Sequence, residues 1–175
     1  MPMFRPRFLS AALLIVACVM LAVVLNRKAE EMVVGSARAL DGDSLVVEGR
    51  EMRLQGIDAP ESRQLCNLAG QSVPCGRHAT QALQRWLMRG PVACTGHESD
   101  HYGRLLVTCR VHGTDINADL VRNGFAVDFG RYPAEEKEAR AAFRGLWAGT
   151  FEPPAEYRRR MRAEAEARRE NPPQP

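Results

Sequence analysis

The sequence predicts an α+β fold: a five-stranded β-barrel with about three helices, preceded by a membrane helix. Three observations predict it, namely the order of short β-rich and amphipathic segments, the size of the chain and one long apolar run near its start. The 175 residues, 45% of them hydrophobic, suit one globular domain with appendages. We therefore expect an anchor in residues 1–31, the barrel domain in residues 32–150 and a charged tail in residues 151–175.

Periodicity changes along the barrel domain in a fixed order. Three β-rich runs come first, separated by Gly and Asp: MVVGSARAL, SLVVEG and EMRLQGI. The stretch GRHATQALQRWLMRG then places its apolar residues on one helical stripe, and two strands follow around the turn SDHYG. Helices are also predicted in INADLVRNG and PAEEKEARAAFRG, with the extended segment FAVDF between them. Five strands with a helix between the third and the fourth is the order of an OB-type barrel.

An apolar run extends from Phe8 to Leu25 with Ser10 as its one polar member. As a helix this run would span about 27 Å, close to the hydrocarbon thickness of a bilayer. No convincing small-x-small cleavage site precedes Asn26, so we interpret the segment as an uncleaved signal anchor. A lipoprotein processing site ending at Cys18 is an alternative, although the apolar run continues seven residues past it.

Net charge does not identify a partner. The formal charge is +3, but residues 32–150 contain 14 basic and 14 acidic residues. Attraction for a polyanion must therefore come from local placement or from a bound cation. The tail is charged and poor in apolar residues, which is typical of a frayed helix that runs into a disordered end.

Four cysteines lie in the barrel domain, Cys66, Cys75, Cys94 and Cys109. Their spacing contains no C-x-x-C pair, which argues against a zinc site. Cys66 and Cys75 bracket a loop of turn-forming residues, and the other two lie symmetrically about the predicted SDHYG turn. We expect two disulfides, pairing each cysteine with its neighbour, and hence a domain outside the reducing cytosol. Four buried thiols in a cytoplasmic protein are the alternative.

Acidic residues gather at the ends of the predicted first strands. The motif LDGDSL places Asp41 and Asp43 around a glycine, and GIDAPE adds Asp58 and Glu61. Pro60 fixes the backbone between the last two, so that their carboxylates are held in defined directions. Two such acids with little local counter-charge are costly unless they are solvated or hold a cation. Asp-Gly is also a common hairpin turn, which is the structural alternative for the first motif.

Two arginines accompany these acids. Arg53 lies five residues before Asp58, and Arg104 closes the motif DHYGR. Each charge taken singly is typical of a solvated surface. Three acids and two arginines together, with no catalytic His, Ser or Cys arrangement, indicate hard-cation-assisted chemistry on a phosphate.

Over residues 33–150 the sequence resembles the thermonuclease, or staphylococcal-nuclease-like, family of OB-fold phosphodiesterases. The resemblance depends on DGDS, MRLQGIDAPE, CGRHA, DHYGR, INADLVRNGFA and ARAAFRGLW in unbroken order. It implies a calcium ion held by the carboxylates of Asp43 and Asp58 and the backbone carbonyl of Ala59.

The same resemblance implies catalytic roles for three further residues. Glu61 would be the base that activates water, and Arg53 and Arg104 would neutralise charge on the pentacoordinate phosphate. Guanidinium groups suit that role because they can contact phosphate oxygens bidentately.

The sequence departs from the family pattern near the expected substrate. His101 stands where some members have lysine, and Gly130 stands where the family often has an aromatic residue near the nucleotide base. Tyr102 and Tyr132 are then the nearest candidates for substrate contact. Substrate affinity and base preference stay open.

The resulting functional hypothesis is a membrane-anchored, extracytoplasmic, calcium-dependent nuclease that hydrolyses DNA, RNA or both, as an endonuclease. We expect a monomer whose N-terminal helix contacts the membrane and whose domain faces the periplasm or the exterior. A secreted protein or a lipoprotein is the lesser alternative for location. The alternative function is a non-catalytic OB-fold module that binds nucleic acid or protein, since the same fold serves both purposes.

Overall fold

The computed structural model describes Leu13, residues 15–18, Met20 and residues 30–170. Contacts divide the chain into two compact units, residues 1–30 and residues 31–175. In the first unit Leu13, residues 15–18 and Met20 are helical and exposed, and Glu30 is exposed without regular secondary structure. Within the described part of the chain no helix is both long and apolar enough to cross a bilayer. Most of the predicted anchor, the run from Phe8 to Leu25, lies outside the described residues.

The second unit contains twelve short strands and four α-helices in its described part. The strands are β1 Glu31–Gly35, β2 Ala37–Ala39, β3 Ser44–Val47, β4 Arg50–Leu54, β5 Ile57–Asp58, β6 Cys66–Leu68, β7 Gln71–Val73, β8 Val92–Ser99, β9 Leu105–Val111, β10 Thr114–Asp115, β11 Val127–Asp128 and β12 Gly149–Thr150. The helices are α1 Cys75–Leu87, α2 Ile116–Arg122, α3 Pro133–Ala141 and α4 Pro154–Glu170, with a 3₁₀ turn at Gly145–Ala148.

The main sheet has the strand order β1-β8-β9-β4-β3-β2. Strands β1 and β2 are parts of one extended stretch, interrupted only at Ser36, and they form the two ends of that order. Because β1 pairs with β8 while β2 pairs with β3, the sheet closes on itself around five continuous strand stretches. This α+β arrangement is consistent with the OB-type barrel that the sequence predicts, including the helix α1 between the third and fourth stretches.

Alternate residues of the barrel strands fill the interior, as the period of a half-buried strand requires. The fully or almost fully buried side chains on three of these strands are Leu45, Val47, Met52, Leu54, Val107, Cys109 and Val111. Helix α1 adds Ala79 and Leu83 to the same core. The barrel therefore supplies a rigid frame, and the connections between its strands carry the charged motifs.

Both expected disulfides are present. Cys94 and Cys109 lie directly opposite each other on β8 and β9, and Cys66 is bonded to Cys75. Between Cys66 and Cys75 the chain forms the small hairpin β6–β7 rather than an irregular loop. The Cys94–Cys109 disulfide links β8 and β9, and the turn between these two strands precedes Arg104.

The tail forms a 17-residue helix, α4, as far as Glu170. The sequence interpretation allowed for a frayed helix here, and residues 171–175 lie outside the described part. Alanines of high helix propensity and the i,i+4 pair between Arg160 and Glu164 explain the helix. Only Pro154 of α4 is buried, so the helix lies on the surface of the unit.

Candidate active site

The charged motifs converge on one cavity of about 720 Å³. Seven of the eight residues singled out from the sequence line it: Asp43, Arg53, Asp58, Ala59, Glu61, Tyr102 and Arg104. They come from strand ends and turns that are distant in sequence but adjacent in the closed barrel. The cavity thus brings together the acids and the arginines that were predicted to act on one phosphate.

The loop before β3 presses Asp43 against the residue that follows Asp58. One carboxylate oxygen of Asp41 accepts hydrogen bonds from the backbone N–H groups of Asp43 (3.0 Å) and Ser44 (2.7 Å), which shapes the loop. A Cβ at Gly42 would lie 2.6 Å from the Cβ of Ala59, so only glycine permits this approach. One oxygen of Asp41 thus shapes the turn, and both Asp41 and Asp43 line the cavity.

Arg53 bridges the two buried carboxylates. Its Nη2 donates to Oδ2 of Asp43 at 2.8 Å and to Oδ1 of Asp58 at 3.3 Å. The backbone N–H of Ala59 also donates to Oδ2 of Asp43 at 3.0 Å. Burial nevertheless raises the pKa of Asp43 to about 7, and the charge of Arg53 only partly opposes this effect. Arg53 thus offsets the cost of burying the Asp43 carboxylate only in part, and a bound cation would offset it further.

Glu61 follows β5 on a turn with a fixed backbone. Its N–H donates to Oε1 of the fully buried Gln64 (3.1 Å), and its carbonyl accepts from the N–H of the same residue (2.7 Å). A Cβ at Gly76 would lie only 1.8 Å from the carbonyl oxygen of Glu61, so the glycine of CGRHA lets helix α1 approach this turn. The Glu61 side chain is 40% exposed and reaches the cavity, where it could accept a proton from water.

Arg104 is held by an acid that the sequence interpretation missed. One oxygen of Asp100 accepts from the backbone N–H groups of Tyr102 and Arg104, both at 2.9 Å, and the other accepts from Nε of Arg104 at 2.8 Å. Burial lowers the pKa of Arg104, but its hydrogen bond and charge interaction with Asp100 outweigh this effect and raise it overall. An aspartate at the first position of a turn that ends in glycine was the available signal. Asp100 positions the guanidinium at the cavity.

The two tyrosines have different places. Tyr102 is 67% exposed and lines the cavity. Tyr132 does not line it: only 8% of the residue is exposed, it packs in the barrel core, and burial raises its pKa. The structure therefore does not bring Tyr132 to the cavity with the other predicted residues, because the residue before α3 turns inward. Phe129, 71% exposed at the cavity wall, is an aromatic residue that the sequence interpretation missed.

A third arginine reaches the acids from the C-terminal helix. Nη1 of Arg158 donates to Oδ1 of Asp58 (2.8 Å) and to Oε1 of Glu61 (3.0 Å), while Nη2 donates to Oδ2 of Asp58 (3.0 Å). The hydrogen bond with Asp58 is the main reason that the pKa of Arg158 lies above its usual value. Nothing in the local sequence pattern marked this residue, since its partners lie 97 and 100 positions earlier.

The donor chemistry fits a hard divalent cation. In the described part of the chain no group of three His, Cys, Asp or Glu side chains is arranged as a ready metal site. Asp43 and Asp58 nevertheless offer buried carboxylate oxygens beside a roomy cavity, and calcium accepts oxygen ligands from carboxylates, carbonyls and water together. The backbone N–H of Ala59 holds that segment against Asp43, where its carbonyl could complete the set. Calcium would then add its positive charge to that of Arg53 beside the two carboxylates.

Comparison with known families agrees with this geometry. Residues 51–149, more than half of the chain, match the model of the family described as "Staphylococcal nuclease homologue". That range contains Arg53, Asp58, Glu61 and Arg104, but it ends before α4 and therefore before Arg158.

Several curated proteins are similar to part of the chain. Succinoglycan biosynthesis protein ExoI of Rhizobium meliloti (strain 1021) is 34% identical over 127 residues, 68% of this chain and 66% of that protein. Probable staphylococcal-like nuclease CAN3 of Oryza sativa subsp. japonica is 31% identical over 127 residues, 69% of this chain and 31% of that protein. Probable endonuclease LCL3 of Schizophyllum commune (strain H4-8 / FGSC 9210) is 29% identical over 133 residues, 62% of this chain and 44% of that protein.

The chain thus spans just under two thirds of the bacterial relative and less than half of the other two. The predicted family resemblance is confirmed by the matched range and by these similarities. The chain belongs to the family of staphylococcal nuclease homologues.

Proposed function

We propose that the chain is a calcium-dependent nuclease that cleaves phosphodiester bonds of DNA, RNA or both, as an endonuclease. The observation that carries the proposal is the convergence of two arginines and three carboxylates on one open cavity. The names of the rice and fungal relatives, a probable nuclease and a probable endonuclease, support the same reaction class.

Each residue has a role that its position permits. Arg104 is fixed by Asp100, and Arg53 is fixed by two carboxylates. Both guanidinium groups can therefore hold a phosphate and stabilise the negative charge that develops on it. Glu61 can take the proton of an attacking water molecule. Calcium, when bound by Asp43 and Asp58, would polarise the phosphate and offset its charge. Tyr102 and Phe129 offer exposed aromatic surfaces on which a base could stack.

The name of the Rhizobium meliloti relative refers to polysaccharide biosynthesis and not to a nuclease. That name describes a process rather than a chemical step, so it does not favour another reaction at this cavity. The nuclease proposal for this chain depends on the site.

The purified chain should cleave both circular and linear nucleic acid when calcium is present. Incubation with circular DNA, linear DNA and RNA, followed by gel electrophoresis, tests the reaction and the substrate class. Cleavage of the circular form shows an endonuclease. Binding of these substrates without cleavage would favour the non-catalytic OB-fold module instead.

We also propose that the domain lies outside the reducing cytosol, held at the membrane by the N-terminal segment. Two disulfides in the barrel domain support the location. In intact cells we expect Cys66–Cys75 and Cys94–Cys109 to be oxidised and the domain to be open to protease once any outer barrier is removed. Non-reducing peptide mapping measures the first property. Four free thiols, or protection until the inner membrane is opened, would place the domain in the cytoplasm.

A further inference from the structure

The C-terminal helix places a guanidinium on oxygens that a cation would need. Arg158 donates to both carboxylate oxygens of Asp58 and to one oxygen of Glu61, all within 3.0 Å. The Asp58 carboxylate is almost fully buried, while the Arg158 side chain is 30% exposed. Such a two-pronged contact between arginine and carboxylate is among the stronger charge-assisted pairings in proteins. Arg158 thus acts as a positive counter-charge built into the site.

This contact is an addition to the part of the chain that matches the family. The matched range ends at residue 149, whereas α4 begins at Pro154. Arg53, Asp58, Glu61 and Arg104 lie within the matched range, whereas Arg158 follows it and Asp43 precedes it. Arg158 lines the cavity, and its Nη1 and Nη2 donate to the carboxylates of Asp58 and Glu61.

The helix that carries Arg158 is attached in a way that permits movement. Only Pro154 is buried in α4, and the preceding segment is held by Nε2 of Gln64, which donates to the carbonyl of Glu152 at 2.6 Å. Within the helix and its entry, Arg160 pairs with Glu152 and Glu164. These contacts stabilise the helix itself, so α4 could leave the acids without unfolding.

Arg158 and a divalent cation compete for the Asp58 oxygens. A carboxylate offers about four lone-pair sites, and Arg53 and Arg158 together already use three of them. Repulsion between like charges at a partly buried site further opposes binding of the cation while Arg158 is in place. We propose that Arg158 is an intramolecular competitor of the cation, so that helix α4 holds the site closed until calcium displaces it. The inference rests on the proposed function, because it concerns regulation of the same site.

Competition of this kind has a measurable consequence. The apparent affinity for the cation is reduced by the fraction of molecules in which Arg158 occupies the acids, and removing the competitor restores the intrinsic affinity. Coupling between two sites of a protein commonly amounts to between about 5-fold and 150-fold. The Arg158→Gln variant should therefore bind calcium at least about tenfold more tightly than the unaltered chain.

The test is a calorimetric titration of the full chain with calcium in the absence of nucleic acid. The matched control is Arg159→Gln, which removes the same charge from the next position of α4, where the side chain is 75% exposed and pairs only with Glu156 among the described residues. Its affinity should stay within about threefold of the unaltered chain. Equal or weaker binding by Arg158→Gln would overturn the proposal, as would absence of calcium binding in every variant.

A second measurement uses the unaltered chain and needs no variant to fold. Saturating calcium should speed modification of the Arg158 guanidinium by the arginine reagent phenylglyoxal, because its donors are then released from Asp58 and Glu61. Mass spectrometry of the peptides locates the modification, and the exposed Arg159 serves as the reference. A rate that calcium does not change would contradict displacement. Nuclease activity is assayed separately, so failure of this competition is distinguishable from failure of the proposed reaction.

Discussion

Replacing Arg104 by lysine should lower the turnover of nucleic acid by about a hundredfold or more while the fold persists. The guanidinium bonds Asp100 through Nε and has further donors for a phosphate, whereas an ammonium group cannot keep both contacts in one plane. Because the loss concerns charge that develops in the transition state, turnover should fall more than substrate affinity. Steady-state kinetics with a defined oligonucleotide measures both quantities.

Arg122→Lys is the matched control. Arg122 is also an arginine with acidic partners, Glu135 and Glu138, but it does not line the cavity. Its variant should retain nearly full activity. Similar rates for Arg104→Lys and the unaltered chain, with circular dichroism showing equal folding, would remove Arg104 from the catalytic set.

Glu61→Gln should lower turnover by a similar or larger factor. The amide keeps the size of the side chain but cannot take a proton from water, and general-base catalysis contributes typically about 100-fold to 10,000-fold. Single-turnover cleavage at saturating enzyme measures the chemical step. Since the backbone of Glu61 is fixed by Gln64, the substitution should leave the turn in place.

Glu61 also accepts a hydrogen bond from Arg158, so its substitution could act through the C-terminal helix. The double variant Glu61→Gln/Arg158→Gln separates these effects. Loss of activity that persists in the double variant assigns the defect to the missing base. Recovery of activity on removal of Arg158 would instead show that the defect of Glu61→Gln acts through Arg158 and not through a missing base. Glu138→Gln, on an exposed glutamate of α3, is the control for the amide itself.

Local pattern predicted the barrel and most of the cavity. The alternation of apolar and polar residues predicted which faces of β3, β4 and β9 are buried. The motifs at the strand ends predicted where charged side chains lie next to the sheet. Ordered resemblance to a family then grouped Asp43, Asp58 and Arg104, which no periodicity could have brought together.

The residues that escaped prediction depend on long-range or inward contacts. Arg158 meets Asp58 across 100 positions from a segment without an apolar stripe, and nothing local distinguishes it from its neighbouring arginines. Tyr132 and Phe129 are three positions apart, yet the first packs inward and the second faces the cavity. Sequence proximity to a site does not determine on which side of the backbone a ring lies.

The dependence of cleavage rate on free calcium tests the central claim most directly, namely that the acids at this cavity hold a cation for hydrolysis of a phosphodiester. The rate should rise to saturation with calcium, return to background in chelator, and require more calcium in Asp58→Asn, which loses a charged oxygen donor. A rate that is unchanged by chelator, or a calcium dependence that Asp58→Asn leaves unaltered, would contradict the account.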